Sequence, residues 1–289
     1  MEGSFFPPRP YMSLFTRTGH LLPFSQFRER LAQGADPNEV FHGSERYSRI
    51  PLIVGVSLRS TEYLRALLAD PRTGLAITDL QGRTALHIAA ERANLEAIGL
   101  LCEAGAPLEA GDIDGRTPLH HALRAPDPQS IGAMRRLMEY GANVSAQDKF
   151  GRTVLHEVML SGSSFWHKPV EEKTDFLLCA RCALDVPDER GGTPLHYAAV
   201  TGHHRVVRAL LAAGANAELF DHDGYRPVEV VRRQIAEDSL GLDNHMGYFE
   251  DLSEVLNILV SHTRARLTQS VGSVVARTGG QSGAHARRM

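Results

Sequence analysis

Apolar residues along this chain recur at helical spacing in short paired segments rather than in alternating strands. The clearest segments span residues 94–103 and 205–212, where leucines, valines and alanines fall on one helical face. A Gly-Ala pair follows such segments at Gly105, Gly141 and Gly214, and glycine in this place is typical of a left-handed helix end. The pattern predicts helix–turn–helix units, each closed by a glycine.

A four-residue phrase, ending in Leu-His, marks the start of each unit. Its threonines are separated by 33, 36 and 40 residues and are Thr84, Thr117, Thr153 and Thr193. An Asp stands five residues before each threonine and a Gly two before it, which is turn chemistry, so a hairpin finger is expected. Threonine then suits a helix N-cap and proline the first helical position. A fixed period of this kind predicts a stacked array in which neighbouring units supply the core.

The phrase, the Asp-x-x-Gly turn and the Gly-Ala close together resemble the ankyrin repeat over residues 44–232. The resemblance implies an all-α fold, an ankyrin-repeat solenoid of stacked helix–turn–helix units with projecting β-hairpin loops. It also implies that the phrase residues are structural and that each histidine hydrogen-bonds the neighbouring turn. These residues are Thr84, His87, Thr117, His120, Thr153, His156, Thr193 and His196.

The repeat phase predicts one repeat domain with two flanks. Residues 1–12 are expected to be a flexible N-terminus and residues 13–262 the ankyrin repeat domain, whose last helix is expected at 249–260. Its parts are an N-cap at 13–43, repeats near 44–78, 79–111, 112–147, 148–187 and 188–220, and a C-terminal repeat and cap at 221–262. Residues 263–289 carry five arginines, no acidic residue and few apolar residues, so a disordered basic tail is expected.

Composition adds limits to this prediction. The longest apolar stretch, near residues 50–58, is too short to span a bilayer, and the first residues lack the basic and apolar regions of a secretion signal. Three cysteines in 289 residues argue against a disulfide framework, and the lone pair Cys179 and Cys182 is expected to be structural. We expect a monomeric protein of the cytoplasm, the nucleus or both, with no membrane contact.

Fourteen histidines raise a metal or acid–base hypothesis. The four phrase histidines are expected about 10 Å apart, one per helix pair. A shared metal would need each histidine nitrogen within about 2.1 Å of it. The sequence also lacks a phosphate-binding loop, a nucleophile elbow and metal-ligand spacing. No catalytic residue, metal or cofactor is expected.

The residue after each phrase histidine is expected on the helix surface that faces the groove of the array. These residues are Ile88, His121, Glu157 and Tyr197, a varied and partly polar row that is typical of a recognition surface. His121 beside Glu157 leaves an alternative open. In it the chain is an enzyme or ligand-binding protein whose pocket is built on inserted loops, with His167 and Trp166 in its lining.

Two adjacent units carry insertions between their helices, at residues 124–130 and 161–169. Both lengthen the same turn, so a raised rim is expected. Trp166, the single tryptophan of the chain, follows Phe165 in the second insertion, and aromatic residues on protruding loops are frequent binding anchors. Whether these loops bind a partner or fold back over the stack stays open at the level of the sequence.

The finger tips form a second candidate surface. Arg83, Arg116 and Arg152 occupy one phase of consecutive hairpins, and Tyr225 continues it in the last unit. Aligned guanidinium groups suit an acidic partner. The sequence therefore predicts a non-catalytic protein-interaction module or scaffold that presents its groove and fingers to a protein, while the basic tail is the one segment that suits nucleic acid.

Overall fold

The computed structural model describes residues 13–44, 47–161, 168–238 and 246–279. In these ranges the chain forms two short antiparallel strands, β1 (Phe41–Ser44) and β2 (Tyr47–Arg49), and otherwise helices. The helices are α1 (Phe24–Ala32), α2 (Pro51–Ser57), α3 (Thr61–Leu68), α4 (Ala85–Glu91), α5 (Leu95–Glu103), α6 (Pro118–Leu123), α7 (Gln129–Glu139), α8 (Val154–Ser161), α9 (Lys168–Cys179), α10 (Pro194–Val200), α11 (His204–Ala213), α12 (Pro227–Asp238) and α13 (Met246–Gly279).

The chain divides into two compact units, with the boundary between Val154 and Leu155. In the first unit the phrase helices α4 and α6 pack side by side, next to α2, while α3, α5 and α7 form the second layer. In the second unit α10 packs against α12, and α11 packs against α9 and α13. The all-α ankyrin-repeat solenoid class predicted from the sequence is confirmed.

Each phrase helix buries the same face. The phrase leucines Leu86, Leu119, Leu155 and Leu195 are fully buried. In α4 the pair Ala89 and Ala90 is also fully buried, because alanine lets the neighbouring helices approach closely. The core therefore follows the repeat: each phrase helix contributes one buried leucine, and the residues beside it are small in α4 and α10 and larger in α8.

The predicted fingers are tight turns that are linked to one another. In the first finger the N–H of Asp79 donates to the carbonyl oxygen of Arg83 at 2.9 Å, which closes the turn. The N–H of Ile113 then donates to the carbonyl oxygen of Gln81 at 3.0 Å, so the second finger is bonded to the first. These backbone bonds give each finger a fixed position on its neighbour.

Left-handed residues follow the second helix of four repeats, and three of them are the predicted glycines. Gly105, Gly141 and Gly214 have φ of 85°, 94° and 101°. Arg181 stands at the same phase with φ of 56°, a conformation that costs a non-glycine residue about 1 to 2 kcal/mol.

We expect Arg181→Gly to stabilise the second unit by roughly 0.5 kcal/mol, because relief of the left-handed strain exceeds the added entropy of the unfolded chain. Gly105→Ala, the opposite change at the same phase, should destabilise the first unit by about 1 kcal/mol. Denaturant titration of both variants measures the two shifts, and shifts of the same sign would contradict this interpretation.

The C-terminal segment differs from the sequence prediction. Helix α13 continues to Gly279, so residues 263–279 are helical and not the disordered start of a basic tail. Its first half is anchored by Leu252, Val255 and Leu259, which are fully buried. Residues beyond 262 contain good helix formers and no proline, and extending an anchored helix avoids the cost of a new nucleus. Residues 1–12 and 280–289, for which flexibility was predicted, lie outside the described residues.

Candidate functional site

Each phrase histidine links the start of its own helix to the next finger. The N–H and hydroxyl of Thr84 lie 3.0 and 2.8 Å from Nδ1 of His87, whose Nε2 lies 3.0 Å from the carbonyl oxygen of Arg116. The same contacts recur in the sets Thr117, His120, Arg152 and Thr193, His196, Tyr225, and His156 Nε2 lies 3.1 Å from the Gly192 carbonyl oxygen.

These partners determine the protonation state of the imidazole. A backbone N–H can only donate and a carbonyl oxygen can only accept, so Nδ1 of His87 is bare and Nε2 carries the hydrogen. Burial lowers the pKa of His87 from 6.5 to about 4, although the carbonyl of Arg116 acts in the opposite direction. Burial also lowers the pKa of His196. His87 and His196 are therefore neutral structural groups.

An aspartate organises each finger. One carboxylate oxygen of Asp79 accepts the N–H groups of Gln81 and Arg83, both at 2.9 Å. Asp112, Asp148 and Asp188 bind the corresponding N–H groups of their own turns. The second carboxylate oxygen is then available for a side chain, and the choice of that side chain differs between repeats.

The finger arginines use this second oxygen or another carboxylate nearby. Arg83 pairs with Asp79 at 2.8 Å and with Glu91 at 3.1 Å, and Arg152 pairs with Asp148 at 2.8 Å. Arg116 pairs with Asp114 at 2.9 Å. Each of these three charges is therefore paired with a carboxylate of its own repeat. Binding of an acidic partner by this stripe of guanidinium groups stays a prediction.

The predicted groove row is also more buried than expected. Nε2 of His121 lies 2.8 Å from a carboxylate oxygen of Asp112, and the side chain of His121 is 3% exposed. Tyr197 donates its hydroxyl to Asp188 at 2.5 Å. Ile88 and Glu157 are buried as well. In two repeats, therefore, the second carboxylate oxygen of the finger aspartate is hydrogen-bonded to the residue that follows the phrase histidine.

The remaining predicted residues divide between the described and undescribed parts of the chain. Trp166, with Phe165 and His167, lies outside the described residues. Tyr225 is half-buried; its carbonyl oxygen accepts from His196, and the Arg233 guanidinium lies 5.6 Å from its ring centroid. Residues 124–130 are described, and in them Ala125 and Ser130 are buried while Pro126 and Asp127 are exposed.

The residues of the alternative pocket are not described as one site. His121 belongs to the first compact unit and Glu157 to the second, and Trp166 is outside the described residues. Over the described ranges, no three His, Cys, Asp or Glu side chains are grouped to hold a metal ion. No helix among the described residues is long and apolar enough to cross a membrane.

The first unit contains a cleft of about 610 Å³ that the sequence did not reveal. Its apolar lining comes from Ile53, Val54, Leu80 and Ile88. Its charged lining consists of Arg59, Asp79, Arg83, Glu91, Arg92 and Arg124. Pro126 of the first inserted loop contributes to the wall, so this loop borders the cleft.

Three of these arginines stand at the ends of the first helices of three consecutive repeats. Arg59 comes two residues after α2, and Arg92 and Arg124 are the C-caps of α4 and α6. Arg92 donates to the carbonyl oxygen of Ser57 at 2.9 Å, and Arg59 donates to that of Arg92 at 3.2 Å. The side chain of Arg124 is exposed and makes no hydrogen bond or ion pair with any described residue. Arginine is favourable at any helix C-terminus because of the helix dipole. The positions of these three arginines in the sequence therefore did not indicate a binding site.

Exposed apolar residues on the fingers were also missed. Ile113 is 65% exposed and Leu80 is 53% exposed, both directly after a finger aspartate, and Phe150 is 39% exposed in the next finger. The Phe150 ring centroid lies 4.6 Å from the Arg152 guanidinium and 5.0 Å from the Lys149 ammonium. An apolar residue at the tip of a turn is unusual, and this was the signal available in the sequence.

Stacked helix pairs, a Thr–His link that recurs in three repeats and bonded fingers define a helical repeat protein. The family model for ankyrin repeats, in three copies, matches residues 52–148 and 127–221, so the chain belongs to the ankyrin-repeat family. Ankyrin repeats typically mediate protein–protein interaction, and the family is generally non-enzymatic.

Several curated proteins are similar to this chain. Mouse (Mus musculus) inversin is 29% identical over 195 residues, which are 64% of this chain and 17% of inversin. The human (Homo sapiens) SH3 and multiple ankyrin repeat domains protein 2 is 31% identical over 205 residues, 69% of this chain and 10% of that protein. The probable 26S proteasome regulatory subunit p28 of Saccharomyces cerevisiae is 30% identical over 189 residues, 63% of this chain and 78% of p28. The chain thus spans less than a fifth of inversin.

Proposed function

We propose that this chain is a non-catalytic interaction module that binds a protein partner through the groove side and fingers of its repeats. The observation that carries the proposal is the hydrogen bonding that orders the fingers. Their turns are closed by the finger aspartates, bonded to one another through the backbone, and held to the phrase histidines. A surface that is ordered before binding loses little entropy when a partner binds.

The exposed finger residues supply the contacts in this proposal. Leu80, Ile113 and Phe150 place apolar side chains on three consecutive fingers of the first unit. Buried apolar and aromatic anchors carry much of the affinity of protein interfaces. Trp166 stays a further predicted anchor, and Arg83, Arg116 and Arg152 act by holding the fingers that present these side chains.

We expect the double variant Ile113→Ser with Phe150→Ser to weaken capture of a protein partner from native extract by roughly 30-fold, since an anchor is typically worth about 2 kcal/mol or more. Both side chains are exposed, so the melting temperature should stay within error of the wild type. Leu95→Ser is the matched control, because Leu95 is an exposed apolar residue of the same unit that starts the second-layer helix α5. Equal loss in the control, or normal capture by the double variant, would contradict the finger assignment.

The cysteines bear on the cellular compartment of this module. All three cysteines are free thiols, which suits the reducing cytoplasm or nucleus. We propose a monomer without a nucleic-acid partner. The alternative, an enzyme or ligand-binding pocket around His121, Glu157 and Trp166, has no support among the described residues, where the Nε2 of His121 is already bound by Asp112.

A further inference from the structure

We propose that the first-unit cleft binds an acidic peptide segment of the partner, with carboxylates on its arginines and one apolar side chain against its floor. This inference rests on the proposed function and names the chemistry of the partner. The cleft is the space of about 610 Å³ lined by the arginines Arg59, Arg92 and Arg124 and the paired group Arg83, Asp79 and Glu91.

The charges of the cleft are unequal. Four arginines face two carboxylates, and both carboxylates are already bound by one arginine: Arg83 lies 2.8 Å from Asp79 and 3.1 Å from Glu91. Arg59, Arg92 and Arg124 therefore have no carboxylate partner among the described residues. Guanidinium forks bind carboxylates through paired hydrogen bonds, so this part of the cleft is complementary to anionic side chains.

Few guanidinium N–H donors of these arginines are used in hydrogen bonds within the fold. Arg59 and Arg92 each donate one hydrogen bond to a backbone carbonyl oxygen, and Arg124 donates none to the described residues. A guanidinium has several further N–H groups in a rigid plane. Most donors of the three side chains are therefore available to a ligand.

Arg59 has a backbone conformation that favours another residue. Its φ is 54°, in the left-handed region, whereas Gly202 occupies the equivalent position of the second unit with φ of 74°. A non-glycine residue pays about 1 to 2 kcal/mol there. Glycine would adopt this backbone conformation at a lower energy, so the turn does not explain why an arginine stands here. Its position in the lining of the cleft offers an explanation.

The lining favours a peptide over a nucleic acid. Ile53, Val54 and Ile88 form an apolar floor that suits an aliphatic side chain, and the described lining contains no aromatic ring on which a base could stack. Asp79 and Glu91 would repel an uninterrupted phosphate backbone passing over them. A peptide can space its carboxylates toward Arg92 and Arg124 and keep its other side chains clear of these acids.

The test uses the full chain and a fluorescent synthetic peptide in which aspartates and glutamates flank a single leucine. A second peptide carries the corresponding carboxamides in place of every carboxylate. We expect the acidic peptide to bind and the carboxamide peptide to bind at least roughly tenfold more weakly, because charge-assisted hydrogen bonds are lost. Added salt should weaken binding of the acidic peptide, since the arginines are exposed.

Three variants separate binding from folding. Arg124→Gln and Arg59→Gly should each weaken binding of the acidic peptide roughly tenfold. Arg59→Gly should leave the melting temperature unchanged or higher, because it relieves the left-handed strain. Arg65→Gln is the matched control, because Arg65 is an exposed arginine of the same unit that pairs with Glu96 outside the cleft, and it should bind as the wild type does.

Several results would overturn the assignment: no binding of the acidic peptide, equal binding of the carboxamide peptide, equal loss in Arg65→Gln, or displacement of the peptide by a single-stranded oligonucleotide at equal charge. Partner capture from extract, run with the same variants, keeps this inference separate from the proposed function. Capture that survives Arg124→Gln and Arg59→Gly would refute the cleft and leave the interaction module standing. Binding of the acidic peptide, with no protein captured from extract, would refute the interaction module and leave only the affinity of the cleft for carboxylates.

Discussion

Lowering the pH from 6.5 to about 4 should reduce the free energy of unfolding of the first unit by about 3 kcal/mol through His87 alone. Burial lowers the pKa of His87 from 6.5 to about 4, while the unfolded chain titrates at the ordinary value. Between these values the unfolded state binds a proton that the folded state does not. Stability therefore falls as the pH falls through this window, and it is fully retained above 6.5.

The physical cause is the hydrogen bonding of the ring. Protonation of Nδ1 would place an N–H opposite the N–H of Thr84, so a buried bond would be lost and a charge would be buried. The pKa of His196 is lowered by burial as well, so the second unit should lose stability in the same direction. The pKa of the finger carboxylate Asp148 is lowered despite its burial, because Arg152 binds it. Protonation of such carboxylates therefore reduces the stability further only at lower pH.

Urea titrations at a series of pH values measure this effect, and His87→Gln isolates it, because glutamine offers a donor and an acceptor without titrating. The variant should lose the part of the pH dependence between 6.5 and 4 that His87 supplies, about 3 kcal/mol. His222→Gln, which removes an exposed histidine of a finger, should keep it. An NMR titration of the wild type gives a second measurement, and a His87 ring that titrated near 6.5 would contradict the argument.

The second large effect is expected for His120→Ala, which should lower the free energy of unfolding by about 2 to 3 kcal/mol. The side chain is fully buried, with Nδ1 at 3.2 Å from the Thr117 nitrogen and Nε2 at 3.3 Å from the Arg152 carbonyl oxygen. Removing the ring leaves a buried donor and a buried acceptor without their partner. It also leaves a cavity at the junction of two repeats.

Thr117→Ala should cost about 1 kcal/mol, because it removes only the hydroxyl contact and leaves the histidine bound to the backbone N–H. His20→Ala is the control, since His20 is exposed, and it should be neutral. The order of the three losses of stability, with His120→Ala the largest and His20→Ala the smallest, is the result that tests the structural role. If His120→Ala abolished binding of a partner while thermal stability stayed intact, the phrase would be a binding element and not a structural one.

Much of this architecture is determined by the sequence because its signals are local. Phrase, turn and glycine positions act over a few residues, and all of them recur at one period. The starts of α4, α6 and α10 at the phrase and the left-handed φ of Gly105 therefore followed from the residues alone. The bond from His87 to the neighbouring turn was implied by the family resemblance. Helix α13 was underestimated, because the continuation of an anchored helix depends on packing that apolar content does not report.

The tertiary structure alone decided which polar side chains are available to a partner. The sequence placed Arg83, Arg152 and His121 on exposed faces. In the fold each meets the second oxygen of a finger aspartate, because that oxygen must be satisfied once the turn has formed. Arg124, by contrast, was predicted only as the first residue of an inserted loop, and in the fold it lines a cleft. Repeat spacing determines where a residue lies along the array, but the competition among neighbouring groups for one carboxylate is settled only when the repeats are packed together.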